Sequence, residues 1–324
     1  MIKGLAITPP VVGRISIGKT VERNGKRLPQ KDDEFTITSQ VQTPDGWHLH
    51  PLDAQLRKEP GQKLRSIPVR VLFDQPELNF RAQYSLFNRE TGRPVCVGNG
   101  ETARRVEGYT VQSHPCPEPS HCQLGQGGLC KPYGRLNVII DTPAKENAVI
   151  DELGSFILRT TGYNSIRTLT ARLAYYAAVS GNKLSAMPLE LKLRGKSTMQ
   201  SYRAPIYYVD LVTREGLSLE QAVQEAQKCY QQRLDVGVNQ QALEAAAKDG
   251  LANGEFEDSD DEAMQVAEEF FSPHEAESQK SPQATPSTGN SLKQKLAHKA
   301  KQADGFALSA ESETVSVEPH AMPE

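Results

Sequence analysis

Residues 114–141 read HPCPEPSHCQLGQGGLCKPYGRLNVIID, and how this stretch is held decides the fold around it. The segment 114–130 contains three of the five cysteines and two of the seven histidines of the chain, separated by Pro and Gly. It has too few apolar residues to build a core of its own, yet it runs into RLNVIID (135–141), which has the apolar content of a strand. Something other than apolar burial must therefore fix the loop. Cys116, Cys122 and Cys130 are spaced C-x5-C-x7-C. A fourth cysteine, Cys96, lies in RPVCVGNG, a short strand running into a Gly-Asn-Gly turn, and a hairpin there brings it to the loop. Tetrahedral zinc takes four thiolate or imidazole ligands, and Gly- and Pro-rich loops fold readily around it. The expectation is a closed, structural Zn2+ site on Cys96, Cys116, Cys122 and Cys130. In the next choice His121 or His114 replaces one cysteine.

Other readings of these cysteines are weaker. A catalytic thiolate needs a paired base, for which His114 or His121 would serve, but nothing like a nucleophile elbow surrounds it. A disulfide framework suits oxidising compartments. Inert burial explains one cysteine better than four in a loop without a core. Cys229 differs: it falls on the inner stripe of an amphipathic helix and reads as a core residue.

Outward from the loop, the first half is rich in alternating segments: FTITSQV (35–41), IPVRVLF (67–73), LNFRAQYSLFN (78–88), PVCVG (94–98) and YTVQS (109–113). Each reads as a strand. From about 151 the element types mix. GSFILRTT reads as a strand, and NSIRTLTARLAYYAAVSG as a helix capped by Asn164 or Ser165 and stopped at Gly181. Its apolar stripe is Ile166, Leu169, Leu173, Tyr176 and Ala177. PLELKLR (188–194) alternates and pairs with APIYYVDLVT (204–213). A capping box of Ser218 and Gln221 opens a last helix that ends near Leu234. The fold class is α+β. Residues 1–150 form a β-rich region with the cysteine cluster, and 151–239 a mixed strand and helix region packed on it as one domain. Residues 240–324 form a mostly disordered acidic tail.

Charge supports that division. Residues 241–324 carry 6 Lys and Arg against 17 Asp and Glu, which leaves 31 against 23 in residues 1–240. The basic body is a reason to consider DNA as a partner. The Ser/Pro/Thr/Gln-rich part of the tail buries too little apolar surface to offset the entropy of ordering it. Two islands, 261–271 with Phe270 and Phe271 and the basic 291–302, have helical character. No apolar run is long enough for a membrane helix. The N-terminus, broken by Pro9 and Pro10, lacks a signal peptide's apolar region. The expected location is cytoplasmic and reducing.

Three motifs invite an enzymatic reading. His48-x-His50 with Asp53 resembles the start of a metal hydrolase site, because alternate strand positions put both imidazoles on one face. Such a site needs further His and Asp ligands, and the remaining body histidines are His114 and His121. The alternative function is a metal-dependent hydrolase using His48 and His50; a surface turn holding Trp47 accounts for the same residues. LRGKST (193–198) ends like a phosphate loop but has Glu190 where the earlier glycine belongs, which excludes that motif. Its hairpin still offers phosphate contacts at Arg194, Lys196 and Arg203, with Tyr202 between. No paired-carboxylate pattern is present.

TPPVVGRISIG, LPQKDDEFTIT, RPVCVGNG, the C-x5-C-x7-C loop running into CKPYGRL, ELGSFILRTTGYNSIRTL and PLELKLRGKST together resemble the recombination directionality factor-like family of phages and integrative elements. Homologues carry the label "hydrolase or metal-binding protein". The resemblance covers about residues 1–235. It implies a non-enzymatic, metal-binding protein of DNA recombination whose partner is a site-specific recombinase or integrase, with DNA a candidate second partner on the strength of the basic body. The characterised phage members bind a large serine integrase and switch it from integration to excision.

Overall fold

The alternating segments become strands, and which face of each strand is apolar determines where it sits. The computed structural model describes residues 10–23, 26–43, 46–57, 59, 61–142, 154–199, 203–251, 266–267 and 270–271. All lie within one compact unit, Met1–Ser278. The chain opens with β1 (Val11–Arg23), β2 (Lys26–Thr43), β3 (Gly46–Leu49) and the short helix α1 (Pro51–Leu56). It continues through β4 (Ser66–Arg70), the single turn α2 (Pro76–Asn79), β5 (Phe80–Phe87), β6 (Pro94–Gly98), β7 (Thr102–Glu107) and β8 (Thr110–Pro115). Then follow β9 (Lys131–Ile140), β10 (Ser155–Thr160), α3 (Tyr163–Val179), β11 (Leu189–Lys196), β12 (Ile206–Thr213), α4 (Leu219–Asp235) and α5 (Gln240–Leu251).

β9 organises these elements. Its residues Leu136, Val138 and Ile140 are buried, while Arg135, Asn137 and Ile139 on the other face are half-buried. It lies in a sheet of order β3-β2-β1-β10-β9-β5-β6-β7-β8. Along one edge its first half pairs with β5, and its last two residues pair instead with β4. β4 leads on to β11 and β12, so the C-terminal end of β9 joins a second, three-stranded layer. Between these layers lies one large core. Ile15, Phe35, Ile37, Ile67, Val69, Leu136, Leu158, Leu169, Leu189 and Leu211 all contribute to it.

The helices close the core. Leu169, Leu173, Tyr176 and Ala177 of α3 are buried, with Ile166 packed beside them, the stripe read from sequence. Its expected cap differs. Gly162 is the N-cap and makes no side-chain capping bond. The candidate cap residues have tertiary partners instead: Ser165 Oγ accepts from Val209 N (3.1 Å), and Asn164 Oδ1 from Lys196 Nζ (2.6 Å). The capping box of α4 is present, with Ser218 Oγ accepting from Gln221 N and Gln221 Oε1 accepting from Ser218 N. Cys229 packs against the core, as expected, and its Sγ accepts a long bond from Arg70.

Four differences from the sequence reading concern elements. β1 and β7 are strands that the alternation did not announce, because both are rich in polar residues. Val71–Phe73 leave the strand; Val71 stays with the large core, while Leu72 and Phe73 form a small cluster with Leu78 and Ala247. Trp47 stands on a strand, β3, with the Arg14 guanidinium 4.8 Å over its ring. The largest difference lies in the region expected to be disordered from residue 240 onward. Gln240–Leu251 is a helix fixed by buried polar groups: Gln240 Nε2 donates to Leu72 O, and Glu244 accepts from Asp74 N and Gln75 Nε2. Further on, Val266, Ala267 and Phe270 are buried against the body. The island at 291–302 and the remainder of the tail lie outside the described residues. No helix among the described residues is long and apolar enough to cross a membrane.

Candidate functional site

Beyond β6 the sheet continues into a hairpin with little covering it. β8 is the edge strand, and Val106, Tyr109 and Val111 are exposed, Tyr109 fully. An apolar layer does not hold this hairpin; its root does. Asn99 Oδ1 accepts from both Glu101 N and Thr102 N, an Asx turn that sends the chain from β6 into β7. Cys116 N donates to Glu101 O at 2.8 Å, which ties the end of β8 back to that turn.

At this root the structure brings together Cys96, Cys116, Cys122 and Cys130. They line one pocket with Leu86 and Gly98, around a space of about 20 Å³. That space suits one ion or one water and is too small for a substrate. Two glycines make the approach possible. A side chain at Gly98 would meet Cys116 Sγ, the Ala103 side chain and Thr102 O, each at 2.9 Å. One at Gly125 would meet Pro119 O at 2.5 Å, so the loop between Cys122 and Cys130 folds tightly only with glycine there. None of the five cysteines is in a disulfide. Burial, and then the charges of Cys96, Cys116 and Cys122, push the Cys130 thiol up to about 12, unlike the lowered thiol of a catalytic nucleophile.

Among the described residues, no three His, Cys, Asp or Glu side chains stand as a ready set around one metal position. Cys96 pairs with Leu86, and one step beyond the Ser85–Lys131 pair Cys130 comes opposite Leu86 from the other side. Two strand spacings, about 9.6 Å, separate their backbones. Bonds of about 2.3 Å to one zinc need sulfurs about 4 Å apart. Four thiols lining one small pocket suit zinc in kind and number.

The alternative ligands lie elsewhere. His114 pairs with Glu107 at 2.9 Å, and exposed His121 contacts Ser120 Oγ at 3.0 Å; neither lines the cysteine pocket. The His48-x-His50 pair makes no ligand set. His48 is exposed, whereas His50 Nδ1 caps α1 by accepting from Leu52 N, and its ring packs edge-on against Phe156. Burial lowers the His50 pKa. Asp53 is buried, accepts from Ile37 N and pairs with Arg57, so it braces α1 against β2. The proposed phosphate edge is also largely committed. Arg194 binds buried Asp210, which Arg172 binds as well, and Lys196 reaches Asn164. Arg203 is exposed with a left-handed backbone (φ 62°), and Tyr202 lies outside the described residues.

A second constellation went unread in the sequence. Arg81 pairs with Arg135, and Arg135 with Arg159, so three arginines stand side by side on β5, β9 and β10. The signal was an arginine at an outward position of each strand, but only the pairing register reveals the row.

Residues 12–214 match the family model described as recombination directionality factor-like. No curated protein and no solved structure matches the chain.

Proposed function

We propose, from the premise that the chain belongs to the recombination directionality factor-like family and so to the recombination apparatus of mobile elements, that it is a non-enzymatic accessory protein that binds a site-specific recombinase. Zn2+ on Cys96, Cys116, Cys122 and Cys130 staples the root of the β7–β8 hairpin. The observation that carries this reading is the meeting of four distant cysteines at the base of a hairpin without apolar cover. When bound, zinc supplies crosslinking between β6, the end of β8 and the loop before β9, in place of a core. The hairpin, with Val106, Tyr109 and Val111 exposed, is then a rigid projection for a protein partner to grip.

Metal analysis of the purified full chain tests the staple. About one zinc per chain is expected, with the metal lost on replacing any of the four cysteines by serine. A metal-free chain with unchanged thermal stability would remove it. Recombinase binding is tested separately, by adding the protein to the integrase of the same element and scoring integration against excision. No change in either direction would remove the partner assignment.

A further inference from the structure

Strand register puts one cation on the face that carries the thiols. Cys96 of β6 pairs directly with Arg105 of β7, and paired residues share a face with Cβ atoms about 4.5–5.5 Å apart. Gly98 and Ala103 pair in the same ladder, and both line the cysteine pocket. Arg105 lines it with them. Arg104, its neighbour in sequence, pairs with Val97 and stands on the opposite face, because strand side chains alternate. Among the residues lining the pocket, Arg105 is the cation and the exposed Glu118 is the carboxylate.

The fold itself does not use the Arg105 head group. Its Nε is buried and, among the described residues, has no hydrogen-bond partner. Arg57, Arg70 and Arg172, in contrast, each bind a carboxylate. A buried N–H is costly unless an acceptor faces it, so this one points to an acceptor that the neighbouring protein groups do not supply. A metal-bound thiolate is such an acceptor. Cysteine binds zinc as the thiolate, and four of them with one Zn2+ leave a net charge of about −2. The walls include Leu86, Ala103, Leu124 and Pro119, which solvate an anion poorly. Arginine suits the task because it stays charged and directs its N–H groups from a rigid plane.

We infer that Arg105 is the positioning residue of the zinc staple: it donates from Nε to the Cys96 thiolate and offsets part of the negative charge of the four-thiolate site. The inference deepens the zinc reading above and rests on it. Arg105 is not a ligand and acts through Cys96. A ligand held by an outer hydrogen bond of this kind typically binds metal about 10–100-fold more tightly than one without it. The bond also reaches beyond the root. Arg105 belongs to β7, one arm of the hairpin, so metal loading stiffens the arm that the partner grips as well as its base.

The test uses the zinc-loaded full chain and reads metal release to a chromogenic chelator of known affinity. Arg105→Gln is expected to weaken zinc binding about 10–100-fold. Arg105→Lys keeps the charge without the Nε donor and is expected to recover part of that loss. Arg104→Gln, on the same strand but the opposite face, is expected to hold zinc as the parent does, and so controls for damage to β7. In the Co2+-loaded chain, Arg105→Gln is expected to move the thiolate-to-cobalt charge-transfer absorption to longer wavelength, which a purely structural role would not do. Unchanged zinc affinity in Arg105→Gln, an equal loss in Arg104→Gln, or an unmoved cobalt spectrum overturns the role of Arg105 and leaves the staple in place. A parent chain that binds no zinc overturns both, and the recombinase assay then bears on the family role alone.

Discussion

The two ends of β9 are held by different forces. At its C-terminal end Val138 and Ile140 meet Ile67, Val69, Leu189 and Leu211, and burial of apolar surface fixes the register. At its N-terminal end the chain emerges from the Cys122–Cys130 loop, beside a hairpin whose side chains largely face water. There the geometry depends on an Asx turn, two glycines that cannot take a side chain, and four cysteines lining one small pocket. A strand with an apolar face keeps its place through many small contacts, whereas the hairpin root relies on a few specific ones.

The sharpest way to test that contrast is to damage the shared element. Leu136 is completely buried where the two layers meet. Leu136→Ala is expected to cost about 2–5 kcal/mol of global stability in chemical denaturation. Core and hairpin amides should lose exchange protection together, since both hang on β9. A loss confined to one region would show two independently stable halves and break the comparison.

How much was legible divides along the same line. Periodicity announced β5, β6, β10, β11, β12 and the buried stripe of α3, because apolar burial leaves a repeat in the sequence. The capping box of α4 was legible because its partners lie three residues apart. The cysteines that line the hairpin-root pocket were visible, while the strand order that sets Cys96 and Cys130 on opposite sides of β5 was not. The α3 cap was misplaced because Ser165 and Asn164 bond to β12 and β11, partners that composition does not show. Composition also hid α5, whose hold on the body comes from Gln240 and Glu244 rather than from a long apolar stripe.

A second change addresses the hairpin alone. Gly98→Val puts a side chain where Cys116 Sγ, Ala103 and Thr102 O already stand. Overpacking of this kind costs about 1–3 kcal/mol. The cost should appear as faster exchange across 102–115, while amides of α3 and β12 keep their rates. Equal loss in both regions would mean that the hairpin root is part of the apolar core.

A smaller effect is expected where a helix outside the β9 junction begins. Ser218→Ala removes the hydroxyl that accepts from Gln221 N and opens the capping box of α4. The expected loss is about 1 kcal/mol, read as a shift in the denaturation midpoint without a change in slope. Since Ala222 and Ala226 of α4 belong to the large core, the shift should leave the hairpin's exchange untouched. A change of slope would instead show that α4 unfolds separately.

The smallest expected effect is a pH dependence at the apolar end of β9. Asp141 follows Ile140 directly. Burial alone would raise its pKa, but Arg214 and Arg70 outweigh it and hold the carboxyl below its ordinary 3.8. A depressed folded pKa means that the ion pairs stabilise the protein fully above the unfolded value, and that this contribution disappears as pH falls through the folded one. Asp74 works with the opposite sign. Burial is the main cause that raises its pKa, so the folded state favours its protonated form, and that contribution is lost as pH rises through the folded value. Melting temperatures between pH 7 and 3 should therefore fall less steeply in Asp141→Asn than in the parent, and more steeply in Asp74→Asn. Both carboxylates are partly open to solvent, so each difference should stay below about 1 kcal/mol. Identical acid limbs in all three proteins would show that Arg70 and Arg214 pack against β9 without their charge mattering, and would leave apolar burial as the sole hold on that end.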